Sequence, residues 1–188
     1  MDKASSSDLA RLAAAAKDSP RPGAAPRDCG HFDIRIARDG SWFYRGSTIH
    51  RSALVRLFSR VLERDRDGQY WLVTPAERGR IEVEDAPFIA VALSASAENG
   101  NPALSFRTNV DDIVTLDRDH PLRVAEDAVT GTPLPYILVR NGLEARLARP
   151  VFYELVDLGR EERVGGETLF GVWSKGTFFP LGRLGAAR

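Results

Sequence analysis

A chain of 188 residues, 43% hydrophobic and 28% charged, is long enough to bury a core and has the balance of a globular protein. Its 26 basic and 26 acidic side chains cancel to a formal net charge of +0, which argues against a nucleic-acid binder, because those carry a basic excess or a clustered basic patch. A single cysteine, Cys29, excludes an intramolecular disulfide, and no apolar run approaches the ~18 residues that a transmembrane helix needs.

Almost all the basic residues are arginine; the lysines are Lys3, Lys17 and Lys175. Arginine presents a planar fork of donors suited to carboxylate and phosphate, so an anion site is one reading and a GC-rich genome is the plainer one. The Ala/Leu stretch Leu9 to Ala16 follows Asp8, is interrupted by Arg11, and is too short to span a bilayer. The expected setting is the bacterial cytoplasm, with no membrane and no nucleic acid as partners.

Along the chain, Asp8 to Lys17 predicts a short helix with Ser7 or Asp8 as its cap. Ser19 to Pro26 holds three prolines and a glycine and reads as a flexible linker. The folded body is expected from Cys29. His31 to Ala37 alternates, with Phe32, Ile34 and Ile36 on one face, so it reads as a half-buried strand. Asp39-Gly40 predicts a tight hairpin with positive φ at both central residues. The returning strand Ser41 to Arg45 puts Trp42 and Tyr44 on one face and Phe43 on the other.

Ser52 to Arg64 switches to helical spacing, with Leu54, Val55, Leu57, Phe58, Val61 and Leu62 on one side and Ser52 as cap. Asp67-Gly68 turns, and Gln69 to Thr74 and Arg80 to Asp85 read as strands. Phe88 to Ser94 reads as a central strand, Asn99 to Pro102 as a turn, and Leu104 to Val110 as the next strand.

The second half echoes the first. Leu138 to Gly142 repeats the strand-to-turn pattern of Ile36 to Gly40. A helix follows with Pro150 in its first turn, where a missing N–H is harmless, and with Val151, Phe152, Leu155 and Val156 as its apolar side. Gly165-Gly166 turns, and Leu169 to Trp173 and Thr177 to Leu181 close the chain. The expected fold class is α+β, mostly antiparallel, with two similar halves that each carry a hairpin–helix–hairpin unit. The expected boundaries are 1–28 for the helix and linker, 29–98 and 99–182 for the halves, and 183–188 for the tail.

Several stretches carry a family likeness: Cys29-Gly30, Asp33 to Ile36, Arg38-Asp39-Gly40, Trp42-Phe43-Tyr44, Arg45-Gly46, Leu54 to Phe58, Tyr70 to Pro75 and Ile81 to Phe88. Phe106 to Asn109, His120 to Arg123 and Tyr153 to Val156 continue it. In order and spacing they resemble the bacterial family called domain of unknown function 1285, over roughly residues 29 to 182. The resemblance implies two similar α+β halves and a role in signalling or ligand sensing. It carries over no catalytic residue. Where the family's Cys-Gly-Asp pattern has its acidic residue, this chain has His31.

Candidate chemistry is sparse. On the strand Arg80 to Asp85, Glu82 and Glu84 share a face, and paired carboxylates bind metals or act as acid and base; the plainer reading is a solvated face opposite arginines. Cys29 and His31 have C-x-H spacing, but zinc wants about four ligands and only His50 and His120 remain, so Cys29 reads as a small buried residue. His120 stands among Asp111, Asp112, Asp117 and Asp119, as a general base, a loose cation site, or an exposed loop. Trp42, Tyr44, Tyr70 and Trp71 are a stacking platform or a core. Arg35, Arg45, Arg80 and Arg107 form an anion pocket if they converge. No G-x-S-x-G elbow, phosphate-binding glycine loop or H-E-x-x-H motif occurs.

The expected function is a non-catalytic small-ligand-binding or sensory module, with no cofactor and no metal. It would hold a small anionic ligand, or a protein partner, in a cleft between the halves. The expected site residues are Arg35, Trp42, Tyr44, Arg45, Glu82, Glu84 and Arg107. The alternatives are a metal-assisted hydrolase using Glu82, Glu84 or His120, and a structural or protein-interaction role in which a homo-oligomer covers the aromatic strands.

Overall fold

The computed structural model describes residues 3–17, 25–98 and 100–183. Most of the expected linker, Asn99 of the expected turn, and residues 184–188 lie outside the described residues. The chain divides into two compact units, Met1–Pro87 and Phe88–Arg188.

The first unit runs α1 (Lys3–Ala15), β1 (Arg27–Ile36), β2 (Trp42–Tyr44), β3 (Ser47–Thr48), α2 (Ser52–Arg60), β4 (Leu62–Arg64), β5 (Tyr70–Val73) and β6 (Glu77–Val83). Its sheet has the order β3-β2-β1-β6-β5-β4. The period-two reading of β1 holds: Ile34 and Ile36 are buried, and they register with Tyr44 and Trp42 on the same face. The ladder is antiparallel except where β1 and β6 run parallel. Trp42 and Phe58 of α2 stack with ring centroids 6.4 Å apart, both almost fully buried, and Leu72 and Ile81 extend this core. Gly79 lets β6 pass close beneath Phe32, since a Cβ there would sit 2.8 Å from the ring.

Four local expectations differ from the structure here. Helix α1 starts at Lys3, so Ser7 and Asp8 lie inside it rather than at its cap. Helix α2 stops at Arg60 instead of Arg64. The Val61 carbonyl accepts from Val73 N–H at 2.8 Å, and residues 62–64 peel off to pair with 70–72. Its cap position is Arg51, with Ser52 already helical. In the β1–β2 loop only Gly40 has positive φ, so a three-residue turn forms, with Asp39 Oδ1 accepting from Ser41 N–H. The two-residue pattern with both φ positive occurs instead at Arg45-Gly46 and, in the second unit, at Asn141-Gly142, Gly165-Gly166 and Lys175-Gly176.

The second unit runs β7 (Phe88–Glu98), β8 (Asn101–Thr108), β9 (Ile113–Thr115), β10 (Leu122–Glu126), β11 (Pro133–Arg140), β12 (Leu143–Leu147), α3 (Arg149–Asp157), β13 (Arg160–Val164), β14 (Glu167–Ser174) and β15 (Thr177–Arg183). Six strands form one sheet, in the order β10-β11-β12-β7-β8-β9, and β13-β14-β15 form another. Strand β7 is held by β8 on one side and by β12 on the other. It therefore belongs to this unit, and the boundary between the units falls at Pro87/Phe88 rather than at residues 98/99. Val151 and Leu155 of α3 are buried, with the helix against β7 and β14. Pro150 lies in its first turn, as the spacing predicts.

The fold is α+β with two similar halves. In each, a hairpin (β1–β2 or β11–β12) leads into a nine-residue helix and then a three-stranded meander (β4–β6 or β13–β15). Strands β9 and β10, to which the sequence reading assigns no element, are short; β9 is an edge strand, and residues 116–121 carry the chain from it to β10 at the opposite edge.

Candidate functional site

The residues expected to line a ligand site are spread among different surroundings. Arg35 lies on the outward face of β1, its guanidinium 4.4 Å from the Phe43 ring and ion-paired to Glu84. Glu84 also accepts from the Arg38 backbone N–H at 2.9 Å. That backbone hydrogen bond, followed by the Arg35 guanidinium, holds its carboxyl below the ordinary value. Glu82 registers beside Arg35 across the parallel ladder. Strand β6 ends at Val83, and Glu84 follows it with its carboxylate on Arg35, the residue beside which Glu82 registers. Among the described residues no three His, Cys, Asp or Glu side chains are grouped to hold a metal ion.

Trp42 does not join this surface. It is 1% exposed and belongs to the core, with its Nε1 buried and without a hydrogen-bond partner. Arg45, in the β2–β3 turn, lies 5.2 Å over Tyr44 and pairs with Asp8 of α1 (3.2 Å) and Asp33 (3.7 Å). Burial raises the Tyr44 hydroxyl above its usual pKa. Arg80 lies over Trp71, together with Arg78. Arg107 belongs to the second unit, where Asp111 takes its guanidinium at 3.5 Å. The four arginines are thus each committed to a separate carboxylate or ring. Cys29, expected to be buried, is exposed: β1 slips register on β6 around it, and its thiol points to Glu77.

A concave site does form in the second unit, a pocket of about 440 Å³. Its polar wall is Asp112, Thr115, Asp117, His120 and Arg140. The elements explain the convergence. Asp112 sits in the β8–β9 turn, where its N–H and carbonyl bond Thr108. Arg140 ends β11 just before the Asn141-Gly142 turn. These strand ends meet, and Arg140 ion-pairs with Asp112 while lying 5.0 Å over the Phe88 ring.

Asp117 and His120 come from the crossing segment. Asp117 Oδ1 accepts from the backbone N–H of Asp119 (3.0 Å) and of His120 (2.8 Å), and lies 3.1 Å from His120 Nδ1. Burial pushes the Asp117 carboxyl up, but the hydrogen bonds from His120 outweigh it and the group sits below the ordinary carboxylate value. The segment is anchored at Leu116, fully buried, whose N–H bonds the Leu104 carbonyl at 2.8 Å. Leu104 N–H in turn bonds the buried Ser174 hydroxyl of β14 at 3.0 Å.

Chemically the pocket offers a guanidinium, an imidazole whose Nδ1 is engaged by a carboxylate, and a hydroxyl. Such a set has donors suited to an oxygen-rich group, and a His–Asp pair is of the kind that moves a proton. Sequence reading found the acidic cluster around His120 but not its partner Arg140. The repeated strand-to-turn pattern, which aligns Arg140-Asn141-Gly142 with Arg38-Asp39-Gly40, was the available signal for a side chain placed at a strand end.

Models of two family domains match in tandem: "Domain of unknown function (DUF1285), N-terminal domain" over residues 22–86 and "Protein of unknown function (DUF1285), C-terminal domain" over residues 87–181. The chain belongs to the DUF1285 family. The crystal structure of a DUF1285 family protein from Silicibacter pomeroyi DSS-3 is 44% identical, with a TM-score of 0.82 over 94% of this chain and 95% of that one. A DUF1285 family protein from Shewanella baltica OS155 is 25% identical, with a TM-score of 0.53 over 67% of this chain and 91% of that one. No curated protein matches. The family boundary at 86/87 coincides with the boundary between the compact units to within one residue. No described helix is long and apolar enough to cross a membrane.

Proposed function

We propose that this DUF1285 protein is a non-catalytic sensory module that binds a small ligand through a carboxylate or phosphate group in the second unit's pocket. The observation that supports it is the meeting of Arg140, His120 and Thr115 on the wall of one 440 Å³ concavity, a size in the range of small-molecule sites. Arginine's fork suits such an oxyanion, and Thr115 supplies a hydroxyl already fixed by Ser105 at 2.8 Å. A single, exposed cysteine is compatible with a reducing cytoplasmic setting.

A thermal-shift screen against amino acids, carboxylates, sugar phosphates and nucleotides tests this. Ligand at about 100 times its dissociation constant adds ~2.7 kcal/mol, which raises the midpoint by roughly 5–10 °C for a chain of this length. The shift is expected to persist in Arg45→Ala and Arg107→Ala and to vanish in Arg140→Gln. Loss of the shift in Arg45→Ala instead would move the site to the first unit.

The His120–Asp117 contact favours a second reading, general-base hydrolysis. It requires turnover of an ester or phosphoester that His120→Gln abolishes.

A further inference from the structure

We infer that the pocket selects a zwitterion, an α-amino-acid-like ligand bearing both an ammonium and a carboxylate, over a simple anion. This rests on the reading of the second-unit pocket as a ligand site.

The argument is charge balance. The polar wall holds two carboxylates, Asp112 and Asp117, and one guanidinium, Arg140. With His120 counted neutral, −2 and +1 leave the wall at −1. Asp117 is held in its ionised form by hydrogen bonds from His120, so its charge is not relieved by protonation near neutrality. A bare anion that approaches Arg140 meets Asp112, which already pairs with that guanidinium, and also the field of Asp117. Like charges repel more strongly in a partly desolvated site than in bulk water, so an anion alone binds poorly. A ligand that brings an ammonium beside its carboxylate reverses the sign of that interaction: the ammonium faces the aspartates while the carboxylate takes the guanidinium.

The remaining wall suits the rest of such a molecule. Val114 and Val139 are each 5% exposed and form its floor, and Ile113, 74% exposed, stands at its rim. An apolar side chain of modest length has apolar surface to lie on, whereas a polyphosphate or a sugar finds few further donors there. The apolar wall thus separates an aliphatic amino acid from a phosphorylated metabolite.

Three matched probes read the inference directly by calorimetry on the full chain: valine, 3-methylbutanoate (valine without its amino group) and 2-methylpropan-1-amine (valine without its carboxylate). Valine is expected to bind at least about tenfold more tightly than either, a margin of ~1.4 kcal/mol. The double variant Asp112→Asn, Asp117→Asn keeps an acceptor oxygen for the Asp119 and His120 N–H groups and leaves the backbone bonds between Asp112 and Thr108 in place. It is expected to bring valine to the affinity of 3-methylbutanoate. Equal binding of valine and 3-methylbutanoate by the natural protein, with both lost in Arg140→Gln, would overturn the inference and leave the oxyanion reading intact. Tight valine binding unaffected by the double variant would also overturn it. Absence of binding by all three probes and by the oxyanions of the thermal screen would remove both.

Discussion

Ser174 is the residue whose removal most directly tests how the pocket is held. Its hydroxyl is fully buried and accepts the Leu104 N–H at 3.0 Å; Leu104 is itself 3% exposed, and its carbonyl anchors Leu116 at the head of the crossing segment. Ser174→Ala removes one oxygen and keeps the Cβ, so the cavity created is small and the main loss is a buried backbone donor left without a partner. That loss costs about 1–3 kcal/mol. For a chain of this length each kcal/mol lowers the midpoint by about 2–4 °C. Thermal unfolding by circular dichroism, with Ser96→Ala as the control, reads it. The Ser96 hydroxyl is exposed and reaches the Ala103 carbonyl only at 3.4 Å, so that change stays within about 0.5 kcal/mol. Equal midpoints for the two variants would refute the reasoning, because Leu104 N–H would then have another acceptor and the link from β14 to the pocket wall would not exist.

Other consequences are equally open to measurement. Phe58→Ala empties the space under Trp42 and is expected to destabilise the first unit by about 3–5 kcal/mol, read as a lower urea midpoint with unchanged slope. Gly171→Ala would put a Cβ 2.3 Å from the Phe179 carbonyl at the β14–β15 register shift, and a loss of at least roughly 1–3 kcal/mol is expected in the same assay. For Asp117 the folded pKa is depressed, so its contribution to stability is present above the unfolded carboxylate value and is lost as pH falls toward the folded one. Asp117→Asn should therefore lose less stability than the natural protein between about pH 6 and pH 3. An identical pH dependence would count against the hydrogen bonds drawn to that carboxylate.

The fold was legible where local chemistry and burial agree. The alternation of Ile34 and Ile36, the two helices and the Asn141-Gly142 and Gly165-Gly166 turns all follow from period and turn preference. Boundaries were lost where tertiary pairing overrides periodicity. Leu62 continues the helical spacing of α2, yet Leu72 claims it for a strand. Likewise β7 reads as one more strand after β6, and only its ladders to β8 and β12 assign it to the second unit.

The site was less legible. Arg45 and Arg107 look like free cations in sequence, but Asp8, Asp33 and Asp111 meet them in the fold. Trp42 shares its strand face with Ile36, and α2 covers that face, so its ring went to the core. Asp112 and Arg140 are 28 residues apart, and no spacing rule joins a β8–β9 turn to the end of β11.

The central claim is that the second unit's pocket is where this protein meets its ligand. The most direct test is a two-dimensional amide NMR titration of the full chain with valine. The account predicts shifts centred on Asp112 to Thr115, Asp117, His120 and Val139-Arg140, saturating together with one dissociation constant. Shifts centred on Arg35, Tyr44, Arg45 and Glu84, with the pocket amides unmoved, would contradict it.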